Sequence, residues 1–257
     1  MGRFARDKLL DSAAAVFNSN PWTSRRIELV FRCDAPMHRT DGLWTYNTHD
    51  FIDDPDFRRA YQRGVEAFGF DYGIPWRVHV LLWAAGHGMK LDGAFVECGT
   101  ARGFQASAIS ECFDLGTRPF FLFDTFRKSL QAAELSGDEY AAAPATHHMY
   151  ADSPEEVAAN FAEWPNVKLV PGRIPQTLST VEIDKVAFLA IDLNAPEPEE
   201  AAMRHFWPRL VTGGMLVLDD YAYRGFDDSR ASADRLASEL GFSILSLPTG
   251  QGLAIKQ

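Results

Sequence analysis

Two adjacent carboxylates, Asp219 and Asp220, close the apolar run Met215-Leu216-Val217-Leu218 that follows Gly213-Gly214. Such a run reads as a strand buried on both faces, and open α/β sheets gather ligands at the carboxyl ends of their strands. Neighbouring side chains on a strand point to opposite faces, so both acids can serve one ligand only where the chain leaves the pleat. Tyr221 and the turn at Gly225 mark such a departure. On the pair alone, a solvated turn and a ligand-binding pair are both open readings. Further acids occupy equivalent places. Glu97 ends the strand that opens Phe95-Val96-Glu97-Cys98-Gly99-Thr100-Ala101-Arg102-Gly103, where it can hold the ammonium of an amino-acid-like ligand directly or through water. Gly99 permits a tight turn after the strand, and Gly103 a close approach of the next helix. A pyrophosphate loop needs Gly-x-Gly-x-x-Gly, and Ala101 at its middle position counts against a nicotinamide dinucleotide. Asp124 ends Phe120-Phe121-Leu122-Phe123, 25 positions after Gly99, where an acid can accept hydrogen bonds from two ribose hydroxyls of NAD or S-adenosylmethionine alike. The turn from Pro171 to Leu178 can bring backbone next to an adenine ring.

The elements that must position these acids are short apolar runs alternating with helical patterns from about Leu91 onward, as in a parallel sheet covered on both faces. The runs are Ala94 to Cys98, Phe120 to Phe123, Val167 to Val170, Val186 to Ile191 and Met215 to Leu218. Helical periods join Phe104, Ala108 and Cys112, then Val157, Phe161 and Trp164, then Met203, Phe206 and Leu210, and last Ala233, Leu236 and Leu240. Ser153, Pro154 and Glu156 form a capping-box start for the second of these. Phe242 to Leu247 and Leu253 to Lys256, joined by Pro248-Thr249-Gly250-Gln251-Gly252, predict an antiparallel hairpin. Five parallel-type strands and a terminal hairpin resemble the class I S-adenosylmethionine-dependent methyltransferase fold. That resemblance implies a doubly wound, Rossmann-like α/β sheet of seven strands, mostly parallel with an antiparallel last strand, over residues 91–257. Residues 1–90 read as a helical and loop-rich extension of the same domain, lid-like in one reading. In it Phe51-Ile52-Asp53-Asp54-Pro55 is loop-like, and Val78 to Ala85, with Trp83, is a helix packing on the sheet. No repeat is found, and the only low-complexity tract is Ala141-Ala142-Ala143.

With 46% apolar and 23% charged residues, a chain of 257 residues can bury a full core. Its 25 basic and 35 acidic residues give a net charge of -10, which argues against nucleic acid and anionic membranes as partners. Cys33, Cys98 and Cys112 show no paired spacing, so neither a disulfide framework nor a thiolate zinc site is expected, and a reducing cytoplasm fits best. Arg3, Arg6 and Lys8 precede an apolar stretch broken by Asp11, unlike a secretory signal. No stretch has the length of a membrane helix.

The order Glu97-Cys98-Gly99, Phe123-Asp124-Thr125-Phe126, Gly172 through Thr177-Leu178, Ile191-Asp192 and Gly213-Gly214 through Asp219-Asp220-Tyr221 resembles the macrocin O-methyltransferase family. These are metal-dependent enzymes that methylate sugar hydroxyls in antibiotic and related glycan biosynthesis, and the resemblance runs from about Phe95 to the C-terminus. It implies Asp192, Asp219 and Asp220 as magnesium ligands, with Asp192 also the general base. It places S-adenosylmethionine against Glu97, Cys98, Gly99, Thr100, Ala101 and Arg102, against Asp124, Thr125 and Phe126, and against Gly172 and Arg173. Two departures stand out. The family's Asp-x-Asp-x-Tyr is here Asp192-Leu193-Asn194-Ala195-Pro196, and its Glu-Gly after the second strand is Arg127-Lys128. The expected partner is a sugar-containing small molecule, with a homo-oligomer also expected. A hard cation held by carboxylates can lower the pKa of an acceptor hydroxyl, and oxygen-only ligands favour magnesium over zinc. The competing readings are a metal-independent methyltransferase, a nicotinamide oxidoreductase and a non-catalytic nucleoside-binding protein. His147-His148 reads as a surface pair or an assisting base, and Tyr46-Asn47-Thr48-His49 and Trp76-Arg77 as covers for the cofactor or caps on the sheet, with Trp76 read as core. Asp227-Asp228 reads as a solvated turn or helix start.

Overall fold

A computed structural model describes residues 38–45, 47–126 and 150–257. Tyr46, Arg127-Lys128, Ala141-Ala142-Ala143, His147-His148, Cys33 and the basic N-terminus lie outside the described residues. The chain divides into two compact units, Met1–His49 and Asp50–Gln257. In the first, β1 (His38–Thr40) pairs antiparallel with β2 (Leu43–Thr45). The second holds the sheet and also the helices α1 (Pro55–Phe68) and α2 (Pro75–Gly88).

The large sheet has the order β5-β4-β3-β6-β7-β9-β8. Its parallel strands are β3 (Ala94–Cys98), β4 (Phe120–Asp124), β5 (Val167–Pro171), β6 (Val186–Ile191) and β7 (Leu210–Leu218). The antiparallel closure is β9 (Gly252–Ile255) with the two-residue β8 (Leu245–Ser246). Alternation along the strands feeds two cores. Phe95, Phe120, Leu122, Phe188, Met215 and Val217 join α1, α2 and α3 (Phe104–Cys112) on one face. Val96, Cys98, Phe123, Leu189, Ile191 and Leu216 join α5 (Pro196–Phe206) and α6 (Asp227–Leu240) on the other. No helix among the described residues is long and apolar enough to cross a membrane.

Several local readings change. The strand read from Met215 starts at Leu210, because Gly213 takes φ +84° and Gly213 and Gly214 are tied to Lys256 by backbone hydrogen bonds. Residues 242–244 are not in the last hairpin: Gly241 ends α6 in the left-handed conformation, and Phe242 stacks on Trp207, 3.6 Å between centroids. Ser153 Oγ accepts from Glu156 N, as the start of α4 (Pro154–Asn160) requires, but the Glu156 carboxylate takes the Asp152 N–H and Arg102 instead of closing the box. Phe161 and Trp164 lie beyond that short helix. The loop read at Phe51 to Pro55 ends in a helix start, where Asp54 caps α1 through the N–H groups of Asp56 and Phe57. Trp83 is 56% exposed while Val78, Leu81, Leu82 and Ala85 carry the buried face of α2. Asp227 and Asp228 open α6.

Candidate active site

Strand register alone assembles most of the site. Cys98, Ile191 and Leu218 are level across β3, β6 and β7. The next residue of each strand continues the ladder: Asp192 N donates to Cys98 O at 2.8 Å and Asp219 N to Ile191 O at 3.0 Å. Gly99, Asp192 and Asp219 therefore stand side by side at the carboxyl edge. Gly99 (φ +91°) does more than permit a turn, because a Cβ there would lie 1.7 Å from the Asp192 carbonyl oxygen. Gly103 (φ +95°) begins α3 and leaves room for the Phe161 ring, so its space serves that ring and not the sheet.

Beyond β7 the chain leaves the pleat, and Asp192, Asp219 and Asp220 each offer an oxygen within 4.8 Å of the others. Burial first, then the Asp219 and Asp220 carboxylates, hold Asp192 well above the usual carboxylate range. Burial and Asp219 push Asp220 up to about 6. Asn194, at φ +57°, donates its amide to Asp192 Oδ1 at 3.0 Å and so fixes the orientation of that carboxylate. The acid of the family pattern is thus replaced by a hydrogen-bond donor.

On the other side of Gly99, Glu97 is 2% exposed and its Oε2 has no hydrogen-bond partner among the described residues. Burial pushes it up to about 8. Asp124 accepts from Ala101 N at 2.8 Å and Phe126 N at 2.9 Å, tying the glycine loop to β4. Ala101 at φ +49° and Phe126 at φ +51° adopt left-handed backbone, so the missing glycine has not removed the bend from the loop. Cys98, Thr100 and Thr125 are buried around it. Arg102 turns its guanidinium to Glu156 in α4, and Arg173 is exposed, its carbonyl accepting from Thr177 beside Gly172.

Other residues join the site, among them Arg77, which the sequence offered only as a cover for the cofactor or a cap on the sheet. Arg77, buried at the start of α2, binds Asp219 and Asp220, the latter at 3.1 Å. Gln105 and Gln251 donate to Asp219 Oδ1 at 3.3 and 3.2 Å. Glu199 is raised to about 7 by burial, with a further push from Asp220. Tyr150 is pushed up to about 12 by burial and by Asp192, Asp124 and Asp220, so its hydroxyl stays a donor. Trp76, read as core, is half-buried and packs edge-on against Phe51 and His79. Tyr221, part of the signature, gives its hydroxyl to Asp234 in α6 and so anchors the loop from behind.

A sheet of this order with a glycine turn after its first strand is a Rossmann-like methyltransferase fold. The solved structure of the O-methyltransferase NovP has it too, with a TM-score of 0.60, 21% identity, and 77% of this chain and 89% of that one covered. Residues 87–235 match the family Macrocin-O-methyltransferase (TylF), and the chain belongs to that family. Demethyldecarbamoylnovobiocin O-methyltransferase of Streptomyces niveus is 29% identical over 60% of this chain and 63% of its own length. Mycinamicin III 3''-O-methyltransferase of Micromonospora griseorubida is 26% identical over 51% and 56%. The chain thus spans less than two thirds of these curated relatives.

Proposed function

We propose that this protein is an S-adenosylmethionine-dependent O-methyltransferase acting on a sugar hydroxyl of a glycosylated small molecule. The observation that carries the reading is Asp192, which belongs to a cluster of three carboxylates and also abuts the glycine loop through Gly99. The named relatives from antibiotic producers support the acceptor class.

The cofactor side divides its work by charge. Glu97, buried with an unpaired oxygen, takes the ammonium of the methionine moiety; Asp124, held by the Ala101 and Phe126 N–H groups and the Thr125 hydroxyl, is the carboxylate offered to the ribose hydroxyls. The bound cofactor supplies a methyl group on a sulfonium. Asp192 accepts the acceptor hydroxyl proton while the oxygen–methyl bond forms and the sulfur–methyl bond breaks. Asn194 aims the Asp192 carboxylate by donating to its Oδ1.

The carboxylate cluster fits a divalent cation. Three acids share the site with one guanidinium, an excess of negative charge, and every candidate ligand atom is a hard oxygen. Asp192, Asp219 and Asp220 would hold magnesium, which supplies Lewis acidity toward the hydroxyl.

Calorimetry with the full chain is expected to show S-adenosylhomocysteine binding and no binding of NAD; the reverse would sink the methyltransferase reading. A methyl-donor assay on nucleotide sugars and glycosylated natural products, with magnesium or with EDTA, then tests acceptor class and metal dependence separately.

Glu97 gives a pH dependence with a definite sign. With its carboxyl near 8, the free protein carries the proton at pH 7, while an ammonium partner favours the charged form. Binding S-adenosylhomocysteine should therefore release close to one proton at pH 7, and affinity should rise about tenfold per pH unit well below 8. Calorimetry in buffers of different protonation enthalpy measures that release. A Glu97→Gln variant should bind more weakly and release none; unchanged release in the variant would assign the proton elsewhere.

A further inference from the structure

Arg77 stands among the residues proposed to hold the cation. Its Nη1 binds Asp219 Oδ2 and lies 3.1 Å from Asp220 Oδ1, spanning two of the three carboxylates. The guanidinium carbon is 4.8 Å from the Tyr223 ring centroid, and the side chain is buried. On the far oxygen of Asp219, the amides of Gln105 and Gln251 donate, and Gln251 also donates to the Arg77 carbonyl at 3.3 Å. Asp219 is therefore surrounded by donors before any ion arrives.

We infer that Arg77 is a resident counter-cation that competes with the divalent ion for Asp219 and Asp220, and that its withdrawal from them sets the metal affinity. This rests on the metal reading above. A carboxylate oxygen engaged by a guanidinium N–H has fewer lone pairs for a metal, and two cations in one half-buried site repel each other. One guanidinium offsets only one of the three carboxylate charges, so the site retains a pull on a second cation. Arginine suits the resident role because it stays protonated when buried and its planar fork can span two acids. The Tyr223 ring gives it a stacking face.

The test is Mn2+ titration of the full chain, followed by electron paramagnetic resonance, for wild type and Arg77→Met, which keeps the apolar stem and loses the charge. Arg77→Met should bind Mn2+ at least about tenfold more tightly, and Mn2+ should raise its melting temperature more than that of wild type. Folding of Arg77→Met only when Mn2+ is present would equally support the competition. If that variant does not fold under either condition, Tyr223→Leu decides, because it removes the stacking face and keeps the charge; it should bind Mn2+ about threefold more tightly. Equal or weaker Mn2+ binding in the deciding variant, with wild type binding normally, overturns the competition and leaves the metal reading intact. Failure of wild type and variants to bind Mn2+, while S-adenosylhomocysteine still binds, overturns both.

Discussion

Asp219→Asn should lower turnover by about two to three orders of magnitude while changing affinity for S-adenosylhomocysteine by less than about threefold. The asymmetry follows from position. On the metal reading Asp219 lies on the far side of Asp192 from Glu97 and Asp124, and its charge is the smallest of the influences on the Glu97 carboxyl, so its loss should fall mainly on the acceptor side. The substitution preserves volume, and the remaining side-chain oxygen can still accept from Gln105 and Gln251. With that oxygen on the glutamine side the new amide N–H groups face Arg77, which retains Asp220, so the guanidinium is not stranded but the melting temperature should fall by a few degrees. Steady-state kinetics and calorimetry on one preparation check both halves. Unchanged turnover would remove Asp219 from the chemistry, and a parallel loss of cofactor affinity would make it a structural residue of the whole edge.

The acids at the strand ends were legible because a parallel strand buried on both faces announces itself as an apolar run, and the first polar residue after it has only the carboxyl edge to occupy. Asp192, Asp219 and Asp124 follow from that rule, and Ser153 from capping chemistry. Arg77 was legible only as a cover or cap near the site, not as a partner of the acids. It meets Asp219 across 142 positions of chain, and its contact depends on how α2 packs over β7, which no local pattern at Trp76-Arg77 encodes. Gln251 likewise sat inside what read only as a turn-rich link, and the 32 positions to Asp219 close because β9 pairs back on β7. The exposed face of α2 was hidden for another reason. Pro75–Gly88 is apolar on nearly every side, so periodicity could not say that Trp83 faces solvent. At Phe242 hydrophobicity was read as strand when its use was to stack on Trp207. Tertiary partners decided each of these.

Gly99→Ala should cost about 3 kcal/mol or more of stability and reduce cofactor affinity and turnover together. Two penalties add. A non-glycine residue at φ +91° pays for a conformation that its Cβ disfavours, and that Cβ would sit 1.7 Å from the Asp192 carbonyl oxygen, far inside contact distance. The neighbour cannot yield as a side chain would, because it is backbone tied to Cys98 O through Asp192 N at 2.8 Å. Relief requires the ends of β3 and β6 to part. That motion separates Glu97 and the glycine loop from Asp192, and a displacement of about 1 Å between cofactor and acceptor groups can cost about a hundredfold in rate. Asp219→Asn should spare the cofactor; Gly99→Ala should not, and the contrast tests whether one shared edge joins the two half-sites. Denaturant unfolding and calorimetry on the full chain supply the measurements. A Gly99→Ala protein with wild-type stability and undiminished cofactor affinity would show that the β3–β6 contact can relax without consequence, and Asp192 would then have to be positioned by Asn194 and the rest of its own loop.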